Sequence, residues 1–224
     1  MADTVIYIAD TAFISMLVSA IESFPSKYEG RRKARNSYAE GEVFGLLFGQ
    51  KTRRGEQQVY NISIATPMQV LMDKKDHCVS PSERHIDKIK NIIEPFPMYQ
   101  YLGTFHSHPY KKDEYKGPAS ARCSGPDRDL ALNDAEFIGE DLIEMILALT
   151  YLTRTMNTGP ELSWNHVQNY CGNYKYTLAG YVTNRSENTV KEVDNLICPF
   201  ASSISNYDFR SLQVFDKFEH TKNR

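Results

Sequence analysis

The stretch YLGTFHSHPY, residues 101–110, is an apolar, aromatic-rich run that ends with two histidines one residue apart. Its composition is that of a β-strand. Because alternate residues of a strand point to the same face, His106 and His108 are expected side by side, with Ser107 facing away. Pro109 is predicted to end the strand. The pattern predicts a metal-chelating pair, although two histidines hydrogen-bonded at a sheet edge would have the same spacing.

Strand-like and helix-like segments alternate on both sides of this stretch. Runs rich in β-branched and aromatic residues predict strands at 5–10, 42–50, 57–67, 99–108, 142–152 and 174–184. Helical periodicity and capping residues predict helices at 11–24, 80–93 and 124–137. Residues 25–41 and 109–123 are predicted to be loops, and the patterns weaken beyond residue 185. The mixture predicts one α/β (α+β) domain over residues 1–224, with a mixed central β-sheet flanked by helices.

The composition is that of a soluble globular protein: 41% of the 224 residues are hydrophobic, 24% are charged, and the formal net charge is −2. This charge gives no general attraction to nucleic acid, and the basic run at 31–35 is expected to be a solvated loop. No apolar run is long enough to span a bilayer, and the first residues lack a secretion signal. The four cysteines form no C-x-x-C pair. We therefore expect a cytoplasmic protein without membrane contact or direct nucleic-acid binding.

Two other stretches supply carboxylates for a metal site. Ser124-Gly-Pro-Asp127 opens a predicted helix, where Ser-x-x-Asp is ordinarily a capping arrangement. A carboxylate fixed in a first helical turn would also suit a third ligand beside two imidazoles, with a fourth position left for water. Glu42 begins an apolar strand and is a candidate base. Glu40 lies two residues earlier on the same face, and the local sequence does not separate the two.

Taken together, these pieces resemble the signature of the JAMM (MPN-plus) metallopeptidase family, in its prokaryotic type. That signature is a glutamate three residues before a strand glycine, then H-x-H-P, then S-x-x-D, and the chain has the three pieces in that order. The resemblance covers about residues 5–155 and implies the fold of that family. It leaves residues 185–224 as a C-terminal extension of uncertain structure. It also selects Glu42 over Glu40, because Glu42 has the required offset from Gly45.

The resemblance implies a zinc-dependent peptidase. Zn²⁺ would be held by His106, His108 and Asp127. Glu42 would transfer the proton of the attacking water, and Ser124 would stabilise the oxyanion. The family cuts an isopeptide or peptide bond at the C-terminus of a ubiquitin-like protein, so such a protein or its conjugates are the expected partner, and a homo- or hetero-oligomer is left open. The alternatives are a catalytically silent scaffold subunit, which typically lacks one or more of these ligands, and a defence- or DNA-associated relative with another substrate.

One spacing departs from the family pattern. Fifteen residues, 109–123, separate the second histidine from Ser124, more than family members usually have. The charges of residues 111–116 and the following Gly-Pro pair predict a solvated loop that bulges at the mouth of the site, while contact with the substrate and a cover over the metal remain alternatives. Ser120 and Asp129 are nearby alternatives, but Ser120 has no acid three residues later. Cys123 is expected to be an idle thiol.

Overall fold

The fold is known from a computed structural model that describes residues 3–30, 40–68, 71–75, 78–81, 83–154 and 159–204. The basic run at 31–35 lies outside the described residues, as do residues 205–224 of the C-terminal extension. None of the described helices is long and apolar enough to cross a membrane.

Each predicted strand and helix is present, with small shifts at its ends. The strands are β1 (Thr4–Ile8), β2 (Phe44–Arg54), β3 (Gln57–Pro67), β4 (Leu71–Lys75), β5 (Cys78–Pro81), β6 (Gln100–Tyr110), β7 (Ile143–Tyr151), β8 (Glu161–Leu162), β9 (His166–Cys171), β10 (Tyr174–Asn184), β11 (Thr189–Glu192) and β12 (Asn195–Ile197). The helices are α1 (Asp10–Glu22), α2 (Glu83–Ile93), α3 (Gly125–Ile138) and α4 (Pro199–Ser203), with 3-10 turns at Ser26–Glu29, Gly117–Ala121 and Arg185–Glu187. The sequence did not predict β4, β5, β8, β9, β11, β12 or α4.

Ten of these strands form one mixed sheet in the order β12-β1-β3-β2-β6-β7-β10-β9-β8, and β11 pairs with β10. The pairs of β1 with β3 and β12, and of β6 with β7, are parallel. A parallel pair needs a crossover connection, and α3 lies in the connection between β6 and β7. β4 and β5 form a separate hairpin. The single α/β domain with a mixed sheet flanked by helices is therefore confirmed.

The two faces of the sheet have different coverings. On one face, Phe105, Leu147 and other strand residues pack against α1 and α4 in the larger core. The opposite face carries two smaller clusters. One joins β2 to α2, and the other joins β7 and β10 to buried Ala121 and Cys123. Because β6 lies between β2 and β7 in the sheet, its histidines lie between these two clusters.

Pro109 does not end its strand, contrary to the prediction. β6 continues to Tyr110, which lies opposite Thr150 of β7. The amide of Ser107 donates to the Val43 carbonyl, so the amide of every second residue from Ser107 points toward β2. Pro109 has its nitrogen on that side, beyond the last β2–β6 pair at His106. The N–H that proline lacks therefore has no ladder partner to lose.

The prediction that residues 109–123 bulge into solvent is wrong for three residues near the end of that loop. Residues 111–114 are exposed, but Ser120, Ala121 and Cys123 are buried. The charged residues 111–114 are exposed, as the sequence predicted. The three buried residues are small, and their packing depends on the face of β10 that they meet, which no local pattern reveals.

Candidate metal centre

The end of β6 holds two imidazoles side by side, as the strand periodicity predicted. His106 is in register with Phe44 of β2 and Ile146 of β7. Its Nε2 atom lies 2.9 Å from Nε2 of His108. Ser107 faces the other way, and its hydroxyl accepts a hydrogen bond from the Val43 amide at 2.9 Å.

Each imidazole is held through its other ring nitrogen. Nδ1 of His106 lies 2.6 Å from a carboxylate oxygen of Glu144, and Nδ1 of His108 lies 3.1 Å from the carbonyl oxygen of Ser120. A carbonyl only accepts hydrogen bonds, so Nδ1 of His108 carries the proton and donates it. In the neutral ring Nε2 then presents its lone pair. Both rings therefore direct Nε2 toward the same point.

Glu144 was not among the predicted site residues. It is only 4% exposed, and besides His106 it accepts a hydrogen bond from the Thr104 hydroxyl. The sequence did carry a signal: Glu144 is the one charged residue of the apolar run 142–152. A carboxylate in a buried strand needs partners to offset its desolvation, so it marks a polar site nearby.

Asp127 caps its helix and faces the histidines at the same time. The Ser124 hydroxyl accepts from the Asp127 amide at 3.4 Å, and the Asp127 carboxylate accepts from the Ser124 amide at 2.7 Å, which is a capping box. The same carboxylate has one oxygen 3.5 Å from Nε2 of His106 and the other 3.8 Å from Nε2 of His108. The capping and metal-binding interpretations of this residue are therefore compatible.

The three side chains have the geometry of a divalent-metal site. Their ligand atoms all lie within 4.8 Å of one another. Bonds of about 2.0–2.1 Å in a tetrahedral zinc site place ligand atoms about 3.3 Å apart; the two Nε2 atoms are 2.9 Å apart, and each has an Asp127 oxygen, Oδ1 or Oδ2, at 3.5 or 3.8 Å. Two imidazoles and one carboxylate suit zinc but also other divalent metals. The residues therefore fit a metal, and their geometry leaves its identity open.

Electrostatics in the cluster favours a bound cation. Burial raises the pKa of Asp127, but the hydrogen bond and charge of His106 and the hydrogen bonds with Ser124 outweigh it, so this pKa lies well below its ordinary value. Burial lowers the pKa of His106, but hydrogen bonds to Asp127 and Glu144 outweigh it and raise this pKa well above its ordinary value. Without metal, a proton occupies the position at Nε2 of His106 that a metal ion would take.

Glu42 lies beside this cluster, two residues before β2 begins. Its neighbours are fixed: the Gly41 amide donates to the Ser23 carbonyl at 2.8 Å, and Val43 exchanges hydrogen bonds with Ser107. The Glu42 side chain is 7% exposed. Burial raises its pKa to about 7, against the opposing charge of His106 and with the charge of Asp127 adding to the rise. Glu42 therefore titrates near neutral pH.

The other sequence candidates have different surroundings. Glu40 is half-buried and accepts a hydrogen bond from the Ser26 hydroxyl at 2.5 Å. Ser120 reaches the cluster through its carbonyl, while its hydroxyl accepts from the Lys116 amide at 2.7 Å. Burial raises the pKa of the Cys123 thiol to about 12, so it stays protonated at neutral pH and is a poor metal ligand. Ser124 is exposed at the start of α3.

Neither a protein-family model nor a curated protein matches this chain. The functional interpretation therefore depends on the geometry and chemistry of the cluster and on the resemblance of its motifs.

Proposed function

We propose that this protein is a zinc-dependent peptidase that hydrolyses an isopeptide or peptide bond at the C-terminus of a ubiquitin-like protein. The observation that carries the proposal is the convergence of His106, His108 and Asp127 within metal-binding distance. Buried Glu42, with its pKa near 7, supports it further. The substrate class is taken from the motif resemblance alone.

Zn²⁺ held by the two imidazoles and the Asp127 carboxylate would lower the pKa of a water molecule and polarise the scissile carbonyl. Glu42, as a carboxylate, accepts the proton of the attacking water and then returns it to the departing amine. Burial raises the pKa of Glu42 and a bound Zn²⁺ would lower it, so the two effects oppose each other and the side chain can both accept and release the proton.

Ser124 is the candidate donor to the oxyanion. Its oxygen accepts a hydrogen bond from the Asp127 amide, and a serine hydroxyl that accepts a hydrogen bond still has one O–H to donate. The capping box fixes this hydroxyl beside the Asp127 carboxylate, on the exposed side of the cluster. A donor fixed in advance stabilises developing negative charge without having to reorganise during the reaction.

The test has a metal step and a reaction step. Protein purified with added zinc is expected to hold about one equivalent, and His108→Ala and Asp127→Ala are expected to lose it. His166→Ala is the histidine control, since His166 pairs with the side chain of Asn165 and is not part of the ligand cluster. The zinc-loaded protein is expected to cleave ubiquitin-like conjugates or precursors, and a chelator should stop the cleavage until zinc is restored. A fully loaded protein that cleaves none of them would contradict the proposed reaction.

A further inference from the structure

Residues Tyr115–Cys123, here called the Ser120 segment, are anchored on the face of β10 that borders the metal centre. The Tyr181 hydroxyl donates to the Ala121 carbonyl at 2.9 Å. The hydroxyls of Tyr115 and Thr177 lie 2.5 Å apart and share a hydrogen bond. Ala121 and Cys123 pack with Tyr181 in one buried cluster. The segment is thus tied to β10 at both ends.

These anchors fix the carbonyl of Ser120. The Ser120 hydroxyl accepts from the Lys116 amide at 2.7 Å, which closes the 3-10 turn on itself. The next carbonyl, that of Ala121, is the one held by Tyr181. Residues on both sides of the Ser120 carbonyl are therefore held, and that carbonyl accepts from Nδ1 of His108 at 3.1 Å.

From these contacts we infer that the Ser120 segment is a positioning element for His108, which directs Nε2 of that histidine to the metal. The inference rests on the proposed metal site but not on the hydrolytic reaction. The two histidines then differ in how they are held. A side chain within the sheet, Glu144, holds His106, whereas the backbone of a surface segment holds His108. Metal affinity therefore depends on hydroxyls of β10 that touch neither the metal nor the histidines.

The test removes the anchors and leaves the ligands intact. In the double variant Tyr115→Phe/Tyr181→Phe, both rings stay in the cluster but neither can hold the segment through its hydroxyl. We expect its zinc dissociation constant to rise about tenfold or more, the effect typical of lost outer-sphere partners of a metal ligand. We also expect the visible absorption of bound Co²⁺, which reports ligand geometry, to change.

Tyr176→Phe is the matched control. Tyr176 is on the same strand and its buried hydroxyl also donates to a backbone carbonyl, that of Ala201 at 2.6 Å, but it lies on the opposite face, against α4. It should lose some thermal stability through the missing hydrogen bond, and it should keep zinc affinity and the Co²⁺ spectrum. If the double variant fails to fold, Ser120→Ala, which removes only the bond from the Lys116 amide, is expected to weaken zinc binding in the same direction.

The inference would be overturned if the folded Tyr115→Phe/Tyr181→Phe or Ser120→Ala protein had the same zinc affinity and Co²⁺ spectrum as Tyr176→Phe. Wild-type protein without zinc would overturn both this inference and the proposed function. Wild-type protein that binds zinc but cleaves no ubiquitin-like substrate would overturn the proposed function alone, because the affinity comparison does not require turnover.

Discussion

At the scale of single residues, burial raises the pKa of Glu42 in the metal-free protein and sets this residue apart from Glu40. Glu40, two positions earlier, hydrogen-bonds to Ser26, whereas Glu42 is enclosed beside His106 and Asp127. Two identical side chains close in sequence thus differ in environment because the bonds at Gly41 and Val43 direct only one of them to the cluster.

The first prediction concerns turnover. Glu42→Gln keeps the size of the side chain but removes the proton acceptor, so hydrolysis should fall roughly 10²-fold or more while zinc content stays at one equivalent. Glu40→Gln, the control, should change neither quantity. Zinc loss in Glu42→Gln would show that Glu42 is a ligand and not the base.

The second prediction concerns stability and pH in zinc-free protein. The pKa of Glu42 rises from 4.5 to about 7 on folding, so the folded state favours the protonated form. The stability linked to this proton is complete below pH 4.5 and is lost as the pH rises through 7. Glu42→Gln lacks this loss, and urea unfolding should find it more stable than wild type at pH 8 by on the order of 1–3 kcal/mol. The two proteins should be equal near pH 4, and an equal difference at both pH values would refute the assignment.

The third prediction concerns Glu144, which the sequence analysis missed. Glu144→Gln preserves shape but removes the charge that faces Nδ1 of His106, so zinc affinity should fall about 10-fold. Titration against a chelator of known affinity measures it, with Glu22→Gln at the exposed end of α1 as control. Unchanged zinc affinity would mean that Glu144 has only a structural role, as the hydrogen-bond partner of Thr104.

The sequence predicted the three proposed ligands but neither of the groups that orient the two histidines, Glu144 and the Ser120 carbonyl. His106 and His108, and likewise Ser124 and Asp127, are related by short spacings within one element, which a local pattern can reveal. Glu144 meets His106 because β6 and β7 are in parallel register, with Thr104 opposite Glu144. That register is a property of the assembled sheet.

At the scale of elements, the segments that carry their own sequence pattern were predictable, and among them α3 combines a structural cap with the Asp127 carboxylate. The long periodic segments were predictable because each carries its own pattern. The short strands β8, β11 and β12 were not, since two to four residues adopt a strand only where a partner pairs with them. The start of α3 belongs to the predictable kind, because its Ser-x-x-Asp cap is written in four consecutive residues.

The fourth prediction separates the two roles of Ser124. Ser124→Ala removes the N-cap acceptor and should cost about 1 kcal/mol of folding stability, whereas Ser124→Gly should cost only a few tenths. Both variants lack the hydroxyl, so both should lose about 10²-fold in kcat. Unequal stability losses with equal kcat losses would identify an oxyanion donor. Rate losses that follow the stability losses would mean that the serine acts only as a cap.

At the scale of the whole molecule, the last described elements complete the fold around the first strand. β12 pairs in parallel with β1, with Leu196 opposite Ile6, and α4 packs on α1 in the larger core. The Ala201 carbonyl accepts from Tyr176 and from Asn169 at 2.6 and 2.9 Å. The stretches that carry the motif resemblance lie within residues 5–155, but the core that supports them also uses residues up to 204.

The fifth prediction follows from this closure. Leu196 is 5% exposed in the larger core, and truncating a buried leucine removes packing that its neighbours only partly refill. Leu196→Ala should therefore lower the free energy of unfolding by about 2–4 kcal/mol in a single urea transition. Leu162→Ala, the same change at a position 61% exposed, should alter it by less than about 0.5 kcal/mol.

Zinc affinity of folded Leu196→Ala should equal that of wild type, because Leu196 packs in the core on the face opposite the histidines. A urea transition unchanged by Leu196→Ala would mean that the strands after residue 185 are an appendage to a fold that is complete without them.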